Sequence, residues 1–243
     1  MKKLKFLLII LILVNYTFTS CDKEDLEGTP GHISGMGNAG GELQVSEPFV
    51  LPEGISIVGG IKGVGDASVA VEDGTSQLLT SVIKNDKSGF FRCGSGGQDI
   101  ILDISLKNEG SVDQEHVFKR GCVFKCLKEG RQNGICPKKV VIHIPAGMII
   151  RFKLLVFCVN YGKRGSSEDV TYECLGVTNS EPIMEVCNRL RSKKINYRSY
   201  KSDEMEKYRR RCSRIQKSIW SVTNDSGLSD EDWDYIDSLP EDD

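Results

Sequence analysis

The sequence predicts an α+β fold in which a β-rich sandwich or barrel is followed by a C-terminal helical part. Apolar and polar residues alternate up to about residue 178, whereas beyond Thr178 the apolar residues recur at helical spacing. The 243 residues are 39% hydrophobic, which is enough for a real core. Charged residues make up 27% of the chain and nearly cancel to a net charge of -2, so composition gives no case for nucleic acid as a partner.

The alternation is clearest over residues 100–107, 140–144 and 149–160. Side chains two positions apart share one face of a strand, so each segment is expected to bury one face. His143 takes the outward parity of its strand, whereas Cys158 takes the inward parity. The residues expected to point inward are Ile100, Leu102, Ile104, Leu106, Val140, Ile142, Ile144, Ile150, Phe152, Leu154, Val156 and Cys158.

Three helices are predicted in the C-terminal part. The first follows Ser180, which can cap it. The second runs from about Asp203 to Val222, with Asp203 as N-cap and Glu206 as its capping-box partner, and the third begins at Ser229. Their expected buried stripes are Ile183, Val186, Cys187 and Leu190, then Met205, Tyr208, Cys212, Ile215 and Ile219, then Trp233 and Ile236.

Residues 1–20 are expected to be a lipoprotein signal peptide. Three lysines precede an apolar run over residues 6–14, and the segment Phe18-Thr19-Ser20-Cys21 resembles a bacterial lipobox. In a lipoprotein Cys21 would carry acyl chains such as palmitate and anchor the chain to a membrane. An ordinary, non-lipidated signal peptide is the alternative.

Residues 22–25 form a charged cluster that resembles the surface-export signal of Bacteroidetes-type lipoproteins, with a solvated charge run as the alternative. The sequence therefore predicts an exported, membrane-anchored lipoprotein of the outer membrane, displayed at the cell surface if the cluster acts as that signal.

Three further segments complete the expected domain organisation. Residues 21–47 are rich in glycine and poor in large apolar residues, which predicts a flexible tether. Residues 48–98 are expected to be β-rich, either as a small sheet of their own or as part of the main domain. The main domain is expected to span residues 99–243.

Charge is segregated in the helical part. The stretch from Arg189 to Lys217 is dense in basic residues, whereas the tail from Asp225 to Asp243 has acidic residues and no basic ones. The two segments are expected to pair. A basic helix that meets phosphates or acidic glycans is the alternative, but no nucleic-acid motif accompanies it.

Common enzyme signatures are absent: there is no GxSxG, HExxH or GxxxxGK[ST] segment, and no GxGxxG after a strand. A Cys-His nucleophile pair would need His116 or His143, and nothing local supports one. Cys122, Cys126 and Cys136 lack the paired spacing of zinc sites, so disulfides are the favoured interpretation in an oxidising compartment. No metal, cofactor or enzymatic turnover is expected.

One constellation points to a specific chemistry. A predicted strand ends in FCVN, at residues 157–160, and a later helical segment reads IQKSIWSVTN, at residues 215–224, with YECLGVTN and a helix between them. In order and spacing these segments resemble the thioester domains of bacterial surface adhesins, together with related lipoprotein domains of Bacteroidetes-type bacteria.

The resemblance implies that the side chains of Cys158 and Gln216 join in an internal thioester. An amine on a host or neighbouring surface protein would open this bond and become attached through residue 216, without a cofactor. The motif positions around the bond are Phe157, Ile215, Ile219 and Trp220. Because thioesters hydrolyse in water, the bond would have to be buried, with Trp220 as its lid.

The alternative keeps the fold without the thioester. With Cys21 lipidated, eight cysteines remain, which allows four disulfides, whereas a thioester at Cys158 would leave an odd number. In that alternative the protein binds a glycan or a protein non-covalently, or belongs to a surface assembly.

Overall fold

The computed structural model describes residues 26–65 and 91–242. The expected signal peptide, Cys21 and the charged cluster after it lie outside the described residues. The described strands are β1 (Val45–Pro48), β2 (Ile55–Ile57), β3 (Ile61–Gly63), β4 (Phe91–Gly94), β5 (Ile100–Asn108), β6 (Gln114–Phe118), β7 (Cys122–Cys126), β8 (Gly134–Cys136), β9 (Val140–Ile144), β10 (Ile149–Cys158) and β11 (Thr171–Thr178). The described helices are α1 (Glu181–Leu190), α2 (Met205–Asn224) and α3 (Asp230–Ser238).

Six strands form a sheet that closes on itself, which we call the closed sheet. Its order is β5, β3, β11, β7, β8 and β10, and β10 pairs back with β5 along most of its length. Strand β2 also pairs with β5, β4 runs parallel to β10, and β1 pairs with β11, while β6 and β9 form a separate two-stranded sheet. This is the barrel form of the predicted fold, and the α+β prediction with a C-terminal helical part is confirmed.

Alternation along the strands divides the apolar residues between two cores. The predicted inward residues of β5 and β9, and those of β10 from Phe152 onward, are buried, mostly inside the closed sheet. Leu155 and Phe157 on the opposite face of β10, together with Val159 directly after the strand, pack against the helices in a second core. Among the described residues, no helix combines the length and hydropathy that crossing a bilayer requires.

Residues 26–44, which we call the strap, pack on the domain and do not form the expected tether. Ile33, Met36 and Leu43 are buried in the core between the closed sheet and the helices. The rest of the expected tether within the described residues enters β1, which pairs with β11. The prediction of a flexible tether from composition is wrong because three apolar side chains, once buried in a core, are enough to fix a short segment on the domain.

Glycine allows the backbone of the strap to approach α2 closely. Gly37 adopts a φ of +56°, and a Cβ atom there would collide with the carbonyl oxygen of Thr223. The Gly31 N–H donates to the Val222 carbonyl oxygen at 2.8 Å, and the Gly37 N–H donates to that of Val159 at 2.7 Å. The glycines that suggested flexibility therefore serve close packing instead.

The described parts of residues 48–98 belong to the main domain. Strands β2 and β3 pair with β5, and β4 pairs with β10. Residues 66–90 lie outside the described residues, so this placement applies to residues 48–65 and 91–98.

The three predicted helix starts have different outcomes. Ser180 is the N-cap residue of α1, but its side chain makes no capping hydrogen bond and its Oγ has no hydrogen-bond partner. At α3 the capping box of Ser229 and Asp232 is present. At α2 the expected N-cap, Asp203, is wrong, because Ser202–Glu204 forms a 3-10 turn and α2 begins at Met205. Glu204 closes that turn by accepting a hydrogen bond from the Lys201 N–H at 3.3 Å. Glu206, the expected capping-box partner, instead pairs with Arg210 at 3.0 Å.

The predicted pairing of the basic and acidic segments is present. Lys193 is buried and its Nζ donates to the backbone oxygen of Asp237 at 2.8 Å, so this pair fixes the end of the chain against the domain. The ion pairs between exposed side chains of the two segments each contribute little to the free energy of unfolding, at roughly 0–1 kcal/mol. The side-chain pairs are Arg189–Asp237 (2.5 Å), Lys193–Glu241 (2.8 Å) and Arg214–Glu231 (3.0 Å).

We predict that Gly37→Ala releases the strap whereas Gly40→Ala does not. The first substitution forces a side chain into a left-handed conformation against the backbone of α2, at a cost of roughly 1–3 kcal/mol. A Cβ at Gly40 meets no atom within 4 Å. Limited proteolysis within residues 26–44, followed by mass spectrometry, measures the release. Equal cleavage rates in the two variants would contradict the packing of the strap.

Candidate functional site

Cys158 is the last residue of β10 and is completely buried. Strand β5 borders β10 along residues 149–156, while Cys158 itself lies opposite Gly134 of β8. The inward parity predicted from the sequence is confirmed, and it places the thiol at the end of the core inside the closed sheet.

Gln216 reaches Cys158 from α2. The side chain is 3% exposed, and α2 packs on the closed sheet through Cys212, Ile215 and Ile219. The Cys158 N–H donates to Gln216 Oε1 at 2.9 Å, and Gln216 Nε2 donates to the Cys158 carbonyl oxygen at 2.7 Å. The structure therefore brings together the two residues that the sequence motifs pair, although 58 positions separate them.

The Cys158 sulfur accepts two hydrogen bonds. Trp220 Nε1 donates to Sγ at 3.4 Å, and the Asn160 backbone N–H donates to it at 3.2 Å. Burial raises the pKa of Cys158 to about 12, while the two donors act in the opposite direction. The group is therefore a neutral thiol near pH 7, with its sulfur already facing N–H groups that would stabilise a thiolate.

Trp220 contacts the sulfur and Tyr161 packs against the Trp220 ring, and we call these two rings the aromatic cover. Trp220 is half-buried and packs against the core that contains Cys158. Tyr161, which is 58% exposed, meets Trp220 edge to face with 4.8 Å between ring centroids. The Tyr161 backbone N–H donates to Asn224 Oδ1 at 3.4 Å, which ties this cover to the end of α2.

The other predicted surroundings of the bond have a different role. Phe157, Ile215 and Ile219 are buried in the core between the closed sheet and the helices, not in the core that holds the sulfur. They fix the distance of α2 from β10, whereas Trp220 contacts the sulfur directly.

Asn160 is a site residue for which the sequence analysis predicted no role. Its buried side chain accepts from the Asn133 N–H at 2.9 Å and donates to the carbonyl oxygens of Gly35 and Gly37 at 3.2 and 3.1 Å. These bonds hold the turn after β10 in the conformation that aims the Asn160 N–H at Cys158. The available signal was its place in the FCVN motif, directly after a buried strand.

The histidines occupy other places. His116 is buried beside Phe49 and Phe118, burial lowers its pKa to about 4, and its Nε2 has no hydrogen-bond partner. His143 lies on the outward face of β9, as predicted, with Nε2 3.5 Å from Asp113. In the part of the chain that the structure describes, these contacts do not pair either histidine with Cys158.

The eight described cysteines are buried thiols. The disulfides expected for Cys122, Cys126 and Cys136 are not formed in the structure, in which the Cys122 sulfur lies 3.1 Å from that of Cys174. Among residues 26–65 and 91–242, no group of three or more potential ligands could hold a metal ion. Because buried thiols persist singly, an odd number of cysteines does not conflict with a special role for Cys158.

Comparison with known proteins gave no relative for this chain. No family model, no curated protein and no solved structure matches it. The assignment of the site therefore rests on its own residues and geometry.

We predict that in the Gln216→Ala variant the alkylation rate of Cys158 rises about tenfold per pH unit from pH 7 to 9.5, because only the thiolate reacts. Peptide mass spectrometry after timed iodoacetamide treatment of the folded protein measures this rate. Adding Trp220→Phe removes one N–H donor and is expected to slow the reaction at each pH. A plateau below pH 9 would contradict the raised pKa.

Proposed function

We propose that this chain is a surface-attachment protein in which Cys158 and Gln216 form an internal thioester that a target amine opens. The observation that carries the proposal is the Gln216 amide, which is buried and bonded through both its oxygen and its nitrogen to the backbone of Cys158. The resemblance of the two sequence motifs to thioester domains gives the same pair. Neither residue depends on a cofactor for this reaction.

The bond would form by attack of the Cys158 sulfur on the side-chain carbonyl carbon of Gln216. The new S–C bond replaces the C–N bond, and the amide nitrogen leaves as ammonia with the thiol proton. The Cys158 N–H, 2.9 Å from Oε1, is placed to stabilise the negative charge that develops on this oxygen. With a thiol pKa of about 12 the step is slow near pH 7, but each molecule needs it only once.

Burial would then protect the bond until a target arrives. Cys158 is inaccessible, Gln216 is 3% exposed, and Trp220, against which Tyr161 packs, contacts the sulfur. Exclusion of water slows hydrolysis of a reactive acyl group. An amine that passes the two rings would form an amide with the residue 216 carbonyl and release the Cys158 thiol, which is a single-use attachment and not enzymatic turnover.

The setting we propose is an exported lipoprotein that is anchored through Cys21 at the outer membrane and displayed at the cell surface. This setting is supported by the lipobox-like segment and by the charged cluster at residues 22–25. The target is a host or neighbouring surface protein that presents a lysine amine.

One observation favours a second function, the non-covalent binding of an acidic glycan or protein. An open cavity of about 530 Å³ lies beside α2, and its lining is mostly basic. Arg210 and Arg214 each have one carboxylate partner, so part of their hydrogen-bonding capacity faces solvent. The residues that line the cavity are Asp203, Glu206, Lys207, Arg210, Arg211, Arg214 and Tyr235.

We predict that the mature chain, purified without reductant, has an intact mass lower by one ammonia and that methylamine adds to it. Cys158→Ala and Gln216→Ala are each expected to abolish both effects. Cys187→Ala and Gln114→Ala, which alter a buried cysteine of α1 and a half-buried glutamine of β6 outside the site, are expected to keep both effects. A full-length mass without the deficit, unchanged by methylamine, would contradict the thioester and leave the non-covalent function.

A second prediction concerns the aromatic cover. Tyr161→Ala is expected to speed the reaction with methylamine on the order of tenfold, because it opens the path to the bond without removing a donor to the sulfur. The control is Leu127→Ala, since Leu127 is as exposed as Tyr161 and lies on another loop. Time-resolved intact mass gives both rates, and equal rates would show that the cover does not limit access.

A further inference from the structure

A second pair of sulfur atoms meets inside the closed sheet. Cys122 on β7 and Cys174 on β11 are 2% and 7% exposed, and their Sγ atoms are 3.1 Å apart. Neither residue takes part in the site around Cys158. A disulfide bond length is about 2.05 Å, so a further approach of about 1 Å would join the two atoms.

Strand pairing places these thiols on the same face. Strands β7 and β11 are antiparallel neighbours, and Cys174 lies opposite Phe124. Cys122 is two positions from Phe124, so its side chain has the same parity and is a diagonal neighbour of Cys174. The register shifts between Cys174 and Gly176, and such an irregularity changes the local twist that aims the side chain.

Cys136 is the competing partner. It lies on β8, directly opposite Cys122 on the other edge of β7, and is 1% exposed. The sulfur contact in the structure nevertheless joins Cys122 to Cys174. Because Cys122 can form one disulfide, a bond to Cys174 excludes a bond between Cys122 and Cys136.

Burial determines when during folding the Cys122 and Cys174 thiols can be oxidised. Desolvation, with Cys122 alongside, raises the pKa of Cys174 far above its ordinary value. Both sulfur atoms are buried, so an external oxidant does not reach the pair once the sheet has closed. Oxidation therefore belongs to the assembly of the strands, when both thiols still meet water.

We propose that Cys122 and Cys174 are an oxidation site that closes to a disulfide between β7 and β11 when the chain folds in an oxidising compartment. The oxidant is an external disulfide, either of a thiol oxidoreductase or of glutathione. One thiolate attacks it to form a mixed disulfide, and the other displaces the reduced thiol. The chain loses two hydrogens, and the oxidant disulfide becomes two thiols.

The bond would tie together positions 52 residues apart, on strands that are separated from β10 by β8. Cross-linking restricts the unfolded chain, and a loop of this length is expected to raise the melting temperature by about 10 °C.

The test refolds the mature chain with oxidised and reduced glutathione and, in parallel, with excess reductant. We expect the first sample to weigh two hydrogens less after alkylation of free thiols is accounted for. Peptide mapping is expected to find Cys122 linked to Cys174, and the melting temperature is expected to fall by about 10 °C on reduction. Because this comparison uses the unaltered chain, it does not depend on a variant that folds poorly.

Variants then assign the partners. Cys174→Ala is expected to abolish the cross-link, whereas Cys136→Ala and the distant control Cys212→Ala keep it. A peptide that links Cys122 to Cys136, or a chain without any cross-link after oxidative refolding, would overturn the proposal. Repeating the experiment with Cys158→Ala separates it from the thioester, since the loss of ammonia disappears while the loss of two hydrogens remains.

Discussion

The paired hydrogen bonds between the Gln216 amide and the Cys158 backbone join the helical part of the chain to the end of a central strand. A buried amide needs partners for its oxygen and its nitrogen, and Cys158 supplies one for each. Displacing α2 would leave these four polar groups without partners in an apolar core, which is costly. The apolar stripe of α2 and the turn after β10 therefore have to be compatible with one arrangement, in which the Gln216 amide meets the Cys158 backbone.

Asn160 extends this arrangement to the strap. One residue donates to the sulfur through its backbone and binds two strap carbonyl oxygens through its side chain. The strap, the turn and α2 consequently form a continuous hydrogen-bonded unit around the end of β10. In the proposed chemistry this unit keeps the sulfur dry and directs N–H groups at it.

Much of this architecture follows from patterns that a sequence displays directly. Strand parity placed Cys158 in the core, helical spacing placed Cys212, Ile215 and Ile219 against the sheet, and the two motifs paired Cys158 with Gln216. The predictions that the structure overturned, namely the flexible tether and the N-cap of α2, failed for physical reasons. Composition cannot reveal that Gly37 is needed for close backbone approach, and capping rules cannot foresee that a 3-10 turn precedes α2. The contact between Cys122 and Cys174 depends on a strand register that only the folded chain defines.

The packing of the strap also determines how the protein would bear mechanical load. If Cys21 carries the lipid anchor, the residues between it and the strap span at most about 18 Å when extended, so the domain would stand close to the bilayer. Tension between the anchor and a target held at residue 216 would enter through the strap. Its contacts with α2, at Gly31 and Gly37, would be sheared first, before force reached the strands. Under such tension the strap would detach from the domain before the strands between the membrane and the attachment point unfolded.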